Sequence, residues 1–136
     1  MLKLNLPTVD LETAEDGKWF DFNETISFRV ARDGNKAHKR AMQNRFKQLE
    51  KMRDKHDFKR IEAFTNEMLA KYILKDWKGI IEQGVGDKKD KALPFDETNA
   101  MSIISDPAYE IIKEFITDCS QSSVDFETGE DDSVKK

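Results

Sequence analysis

The side chains best suited to metal binding are few and far apart in this 136-residue chain. Its two histidines, His38 and His56, lie 18 residues apart in a basic stretch, and its single cysteine, Cys119, is distant from both. A metal site needs several nitrogen, sulfur or oxygen ligands at close spacing. We therefore predict histidines at the surface or at helix ends, and neither a metal site nor a cofactor.

The same side chains give little support to nucleophilic catalysis. A reactive cysteine or serine needs a histidine base and an orienting acid nearby. Cys119 instead falls in helical register with Ile112 and Ile116, which predicts a cysteine in the core. Gly84-Val85-Gly86 lacks the preceding strand of a phosphate-binding loop, and Asp87-Lys88-Lys89-Asp90 has too few acids for a calcium loop. We predict no catalytic residue and expect a protein that is not an enzyme.

The composition fits a small and highly charged single domain. Charged residues make up 37% of the chain, against roughly 25% in a typical globular domain, and 38% are apolar. This balance favours a thin helical domain, or one that completes its core by pairing with a copy of itself. No run of about 18 apolar residues occurs, so we expect no membrane partner. One cysteine and no signal-peptide core indicate the reducing cytoplasm.

The charge is distributed in three blocks. Residues 1–24 carry a balance of −4, residues 33–60 a balance of +6, and residues 114–136 a balance of −5. A basic middle between acidic ends favours self-complementary contacts, so we expect a homo-oligomer. Basic helices also bind phosphate backbones. A small nucleic-acid-binding or regulatory protein using the basic helix 36–60 is therefore the alternative, although interleaved acids and a pI of about 5.3 make nucleic acid the less favoured partner.

The hydrophobic periodicity predicts a mainly α fold with an N-terminal β-hairpin. Two aromatic and β-branched runs separated by about two residues predict the hairpin over residues 18–31. Helical periodicity then predicts four helices, near residues 36–55, 57–79, 97–105 and 107–120. Whether residues 35–78 form one helix or two stays open, although Asp57 would serve as an N-cap in the second case.

The chain is predicted to contain one domain with two flanking segments. Residues 1–16 form an N-terminal extension, residues 17–120 form the domain, and residues 121–136 form an acidic, disordered tail. Residues 82–94 are rich in glycine and charge and end in proline, which predicts a loop. Asp96 and Asp106-Pro107 are typical starts of the last two helices.

The predicted helix near 57–79 carries the widest apolar face of the chain. Its apolar residues repeat at three- and four-residue steps, which is typical of a helix that packs against other elements. One ridge of this face is a possible partner-binding surface, made of Phe58, Ile61, Phe64, Met68 and Tyr72. Trp77 lies on the neighbouring ridge and is predicted to be a core aromatic, and Gly79 is predicted to end the helix.

Two patterns are more specific than the composition. The first is Tyr72 to Ile80 (YILKDWKGI), followed by a charged loop and then by Pro94 and Phe95 in the sequence ALPFDE. The second is Gly17-Lys18-Trp19-Phe20 with the later Phe28-Arg29-Val30. Together with the closing amphipathic helix, these patterns span about residues 17–120. They resemble the tail assembly chaperone family of long-tailed, siphovirus-type phages and prophages.

The resemblance implies a mostly helical, self-associating protein that binds the tape measure protein during tail assembly and is absent from the mature virion. It implies a family motif or core role for five residues, Trp19, Trp77, Gly79, Pro94 and Phe95. Many members of that family are also made in a longer, frameshifted form, which implies contact with tail-tube subunits. The loop from Asp87 to Lys91 departs from the family pattern, because it is rich in lysine where the family is acidic.

Overall fold

The computed structural model describes residues 2–128, which form a mainly α fold with a small antiparallel sheet. The α-helices of this part are Leu11–Asp16 (α1), Lys36–Asn44 (α2), Phe46–Asp54 (α3), Phe58–Met68 (α4), Glu97–Ile104 (α5) and Glu110–Ser120 (α6). The strands are Lys18–Asp21 (β1), Ser27–Val30 (β2), Leu74–Lys78 (β3), Ile81–Glu82 (β4) and Lys91–Ala92 (β5). The predicted fold class is confirmed.

The predicted hairpin is present as β1 and β2. The two strands pair antiparallel, with Phe20 opposite Phe28 and Trp19 opposite Arg29. The Asn23 side chain shapes the connection, because its Oδ1 accepts hydrogen bonds from the backbone N–H of Thr25 (2.9 Å) and of Ile26 (2.7 Å). Side-chain acceptors of this kind stabilise turns locally. The hairpin is therefore specified by residues adjacent in sequence.

Residues 74–78 form a strand, which corrects the prediction of a helix as far as Gly79. Helix α4 ends at Met68 and continues as a π-helical segment, Leu69–Ile73, before β3 pairs antiparallel with β2. A four-residue spacing keeps side chains on one face both in a helix and in a strand. Ile73 and Trp77 fit either structure by periodicity, and the hydrogen bonds that β3 makes with β2 decide the outcome.

The helices form two buried clusters, and only the main one includes residues of the sheet. The main cluster joins β2 and β3 to the π-helical segment, α5 and α6, and its buried residues are Phe28, Val30, Leu69, Ala70, Ile73, Leu74, Trp77, Ala100, Ile104, Ile116 and Cys119. The second cluster joins α2, α3 and α4 through Ala41, Leu49, Met52, Phe64 and Met68. Because α4 and the π-helical segment run on without a break, the two clusters are held together by one continuous element.

The basic stretch forms two helices followed by a third. The chain breaks at Arg45 between α2 and α3, and again at His56, whose φ of +54° is a left-handed conformation that ends α3. The Asp57 carboxylate then caps α4 by accepting a hydrogen bond from the Arg60 N–H at 3.2 Å. Asp96 caps α5 in the same way, with the Asn99 N–H at 2.7 Å. These caps agree with the predicted helix starts.

The two ends of the described chain pack against each other, in contrast to the predicted extension over 1–16 and disordered tail from 121. Helix α1 buries Ala14, and a 3₁₀ turn, Val124–Phe126, buries Phe126 completely. Val9 pairs with Glu127 in an isolated β-bridge, and Asp10 N–H donates to the Phe126 carbonyl at 2.8 Å. The part of the predicted tail over 129–136 lies outside the described residues.

The predicted loop over 82–94 contains a short hairpin. Ile81 pairs with Ala92 and Glu82 with Lys91, which makes β4 and β5 a two-stranded ribbon. The ribbon leads from β3 into α5 and carries the lysine-rich turn at its far end. No helix within residues 2–128 combines the length and the apolar character needed to cross a lipid bilayer.

Candidate functional site

An open apolar groove of about 570 Å³ lies where the β4–β5 ribbon meets α5 and α6. Its polar lining is limited to the start of the ribbon, at Glu82 and Gln83. Its apolar lining residues come from five separate stretches of chain and are Ile26, Ile80, Ile81, Leu93, Ile103, Tyr109 and Ile112. Apolar residues gathered in a concave surface are typical of sites that bind apolar side chains.

Trp77 supports the groove from behind. Its ring is buried in the main cluster, and its indole Nε1–H donates a hydrogen bond to the Leu93 carbonyl at 2.8 Å. The Leu93 N–H in turn donates to the Ile80 carbonyl at 2.9 Å. These two bonds fix Ile80 and Leu93 beside each other, so the tryptophan sets the position of two lining residues.

Phe95 and Pro94 complete this support. The Phe95 ring packs edge-on against Trp77, with ring centroids 5.0 Å apart and an interplanar angle of 84°. Such aromatic pairs contribute about 0.5–1.5 kcal/mol beyond the area they bury. The Pro94 carbonyl accepts a hydrogen bond from Asn99 Nδ2 at 2.9 Å, which ties the segment to α5. Both residues of the sequence pattern therefore position the groove from outside its lining.

Gly79 forms part of the groove wall and leaves no room for a side chain. Its φ is +82°, and a Cβ atom placed there would lie 1.9 Å from the Thr25 carbonyl oxygen. The close approach brings the β3–β4 connection against the residue before Ile26. Gly79 was predicted to end a helix, whereas it lies just after the strand β3 and allows two segments of groove lining to meet.

The exposed large apolar residues of the groove are Ile81 and Tyr109, with 52% and 50% of their surface accessible. Ile26, Ile80, Leu93, Ile103 and Ile112 are partly buried and form the floor. Covering an apolar surface of this kind with a partner stabilises the complex, by about 25 cal/mol for each Å² of apolar surface removed from water. The arrangement can bind apolar side chains, and it brings together no set of acid, base and nucleophile.

The residues predicted as a partner-binding ridge do not form one free face. Phe64 and Met68 are buried in the second cluster, each with 4% of its surface exposed. Ile61 and Tyr72 are partly buried against that cluster, and Phe58 is 72% exposed. The apolar ridge of α4 serves the fold, because α2 and α3 pack on it. Only its first residue, Phe58, remains open to a partner.

Trp19 lies on the opposite face of the sheet from Trp77. It is 36% exposed, and the Lys78 ammonium lies 4.2 Å from the centroid of its ring, a cation–π contact. The contact joins β1 to β3 across β2. Trp19 therefore contributes to the outer face of the sheet and not to the groove.

The candidate chemical side chains are placed as structural groups. Burial raises the pKa of the Cys119 thiol to about 11, with smaller contributions from Asp125 and Asp118, so the thiol is protonated at neutral pH. His38 Nδ1 accepts a hydrogen bond from the Gly34 N–H at 3.0 Å. Across residues 2–128, His, Cys, Asp and Glu side chains do not gather into any group of three or more that could hold a metal ion.

Sequence reasoning missed Ile81 and Tyr109, the two most exposed apolar residues of the groove. Each lies directly beside a motif that was recognised, since Ile81 follows Ile80 and Tyr109 follows Asp106-Pro107. Their proximity depends on the ribbon and the start of α6 lining the same groove. Nothing in the local pattern signals that arrangement, because the glycines and charges over 82–94 are also typical of an open loop.

The comparison with protein families gives a match over most of the described fold. A family model described as YdaY prophage protein matches residues 28–136, which is most of the chain. The chain belongs to the YdaY prophage protein family. The matched region contains β2 from Phe28 onward, β3, the ribbon and every residue of the groove except Ile26. The family description agrees with the phage or prophage origin implied by the sequence resemblance, and it names no activity.

No curated protein and no solved structure matches the chain. The family assignment therefore establishes a prophage protein, and the groove is the structural feature from which a more specific role can be argued.

Proposed function

We propose that this prophage protein is a non-enzymatic tail assembly chaperone, which self-associates and binds the tape measure protein in the cytoplasm of the bacterial host. One observation carries the proposal. Trp77, Gly79, Pro94 and Phe95, the residues of the motif that resembles tail assembly chaperones, together build and support the apolar groove. Membership of a prophage family supports the same assignment at a coarser level.

The physical reason for such a chaperone lies in the properties of its client, the tape measure protein. A tape measure protein is long, helical and apolar, and such a chain aggregates if it is exposed before the tail tube forms around it. A groove about 570 Å³ in volume, with Ile81 and Tyr109 exposed at its surface, suits the apolar stripe of a helix. The highly charged remainder of the surface keeps the complex in solution.

The proposal extends to how the protein acts in assembly. The chaperone leaves before the virion is complete, since its groove and the tail tube compete for the same apolar client surface. In a frameshifted longer form, the added segment would contact tail-tube subunits. No nucleotide, metal or cofactor takes part in this cycle.

Co-expression with the tape measure protein encoded by the same prophage tests the proposal. Wild-type chain is expected to raise the soluble fraction of the tape measure protein and to co-purify with it. Ile81→Lys and Tyr109→Lys place a charge at the exposed part of the groove and should abolish both effects. Val124→Lys is the matched control, because Val124 is 73% exposed and lies outside the groove.

The outcome that contradicts the proposal is equally specific. A tape measure protein that is no more soluble with the wild-type chain than without it removes the proposed function. Equal loss of activity in Ile81→Lys and Val124→Lys, with both variants folded, removes the groove as its site.

A further inference from the structure

A second groove, of about 440 Å³, lies between α3 and α4 and is basic. It shares no lining residue with the apolar groove. Lys51 lines it from α3, and Lys55 lines it from the residue directly after that helix. Arg45 lies just before α3, and Arg60 lies in α4. The groove thus concentrates much of the positive charge of the basic block.

The ion pairs of this groove leave two lysines available. Arg45 Nη1 lies 2.6 Å from the Glu67 carboxylate, and Arg60 Nε lies 3.4 Å from that of Asp57. Neither Lys51 nor Lys55 has a carboxylate within 4.0 Å among residues 2–128. The groove therefore carries net positive charge after its internal pairs are counted.

The floor of the groove is apolar, which distinguishes it from a phosphate-binding surface. Met52, Phe64 and Met101 contribute to its lining between the charged residues. A nucleic-acid backbone offers phosphates but no apolar side chain to cover such a floor. An amphipathic helix with acidic residues beside an apolar one fits both properties, because its charges meet the lysines and its apolar residue meets the floor.

Helix α6 of this chain presents that combination on its solvent face. Glu110, Glu114 and Asp118 are exposed and recur at four-residue steps, which places them in one stripe along the helix. None of the three has a cationic partner within 4.0 Å in the described part of the chain. Ile111 lies beside this stripe and is 69% exposed.

We propose that the basic groove of one molecule binds the acidic face of α6 from a second copy. Lys51 and Lys55 pair with Glu110 and Glu114, and Ile111 covers the apolar floor. This proposal rests on the self-association that is part of the proposed function, and it identifies the two surfaces that form the contact. Because the surfaces differ, the contact is head-to-tail, and it forms a ring or an open chain of subunits.

A charge-swap experiment on the full-length protein tests this arrangement. The first variant carries Lys51→Glu and Lys55→Glu, and the second carries Glu110→Lys and Glu114→Lys. All four positions are exposed, so the folded state should be retained, which circular dichroism and thermal melting check. Analytical ultracentrifugation at about 0.15 M salt then measures association.

Each variant alone should associate at least about 100-fold more weakly than wild type, because like charges then face each other. An equimolar mixture of the two should assemble beyond a dimer, with the variants alternating, because each groove then meets an α6 face of opposite charge on the other variant. Combining all four substitutions in one chain should restore assembly, because the charges are complementary again.

Wild-type assembly in either variant alone overturns the proposal, as does a mixture that stays monomeric. DNA or RNA binding that depends on Lys51 and Lys55, with self-association unchanged in the first variant, would instead assign the groove to nucleic acid. These measurements use the chain alone, so they do not depend on the tape measure protein being the client. The result of the co-expression experiment with Ile81→Lys is independent of these association measurements.

Discussion

Gly79 and Gly86 both have left-handed backbone conformations, but only Gly79 lies against another segment of the chain. A Cβ at Gly79 would lie 1.9 Å from the Thr25 carbonyl oxygen, whereas no atom lies within 4 Å of one built at Gly86. Gly79→Ala should therefore lower the free energy of unfolding by about 2–4 kcal/mol, from strain and displacement of the groove wall together. Gly86→Ala should cost about 1 kcal/mol, from backbone strain alone.

Urea unfolding of the two variants checks this difference. It isolates the close approach of two segments, since both substitutions add the same methyl group at a positive φ. Equal destabilisation by the two changes would mean that the β3–β4 connection does not approach Thr25 as the structure shows.

His38 makes stability depend on pH. Burial lowers the pKa of its imidazole, and the nearby Asp33 carboxylate, 3.3 Å from Nδ1, opposes this shift only in part. The hydrogen bond from the Gly34 N–H to Nδ1 also requires this nitrogen to be unprotonated. Since the unfolded chain has the higher pKa, it binds the proton first as the pH falls.

The stability contributed by neutral His38 is fully present above about pH 6.5, the ordinary histidine value, and is lost as the pH falls through the pKa of the folded state. The Tm should therefore decrease between pH 7.5 and 5.5, and His38→Gln should flatten this decrease. His56→Gln, at an exposed histidine, should retain the wild-type profile. Identical profiles for wild type and His38→Gln would contradict the assignment.

At the scale of elements, the packed chain ends are an integral part of the domain. The 3₁₀ turn Val124–Phe126 buries Phe126 completely, with its ring 6.1 Å from that of Phe20, while Val124 stays 73% exposed. Phe126→Ala should lower the free energy of unfolding by about 3–5 kcal/mol, as truncations of buried aromatic residues do.

Val124→Ala, in the same turn, should change the free energy of unfolding by less than about 0.5 kcal/mol. Calorimetric melting of both variants checks the pair. If Phe126→Ala had the same Tm as Val124→Ala and the wild type, the segment after α6 would not be packed against the domain.

The sequence predicts elements defined by neighbouring residues better than those defined by distant pairing. The β1–β2 hairpin and the starts of α4 and α5 follow from Asn23, Asp57 and Asp96, whose side chains bond backbone groups two or three residues away. Strand β3 depends on pairing with β2 more than 40 residues earlier, and the ordered end depends on Thr8 and Thr128 bonding across 120 residues. Periodicity holds no information about such partners.

The candidate site divides in the same way. Trp77 and Gly79 were recognised by motif, and burial of Trp77 follows from its apolar register. The role of these residues in shaping a groove could not be predicted, because Ile26, Ile81 and Tyr109 approach only after the sheet, the ribbon and α6 have assembled. The predicted partner-binding ridge on α4 is largely buried, because α2 and α3 pack over Phe64 and Met68. This packing also forms only once distant elements assemble.

At the scale of the whole molecule, the two grooves are separate surfaces, and a different contact is proposed for each. The apolar groove lies at the β4–β5 ribbon, and the basic groove lies between α3 and α4, with no lining residue in common. Under the two proposals, the basic groove of one molecule binds the α6 face of a second copy, and its apolar groove binds the client. Salt should separate the two contacts, because screening weakens the charge-driven contact between copies and leaves apolar contacts largely intact.

The central claim is that the apolar groove contacts the tape measure protein, and site-specific photo-crosslinking tests it most directly. A photoreactive amino acid is placed at Ile81, in the groove, or at Phe58, which is 72% exposed on α4 and lies outside the groove. Each chain is co-expressed with the tape measure protein and irradiated in cells. We predict a crosslinked product containing the tape measure protein from position 81 and none from position 58. A product from position 58 but not from position 81 would contradict the account, because it would place the contact with the tape measure protein on α4. No product from either position would contradict the binding itself.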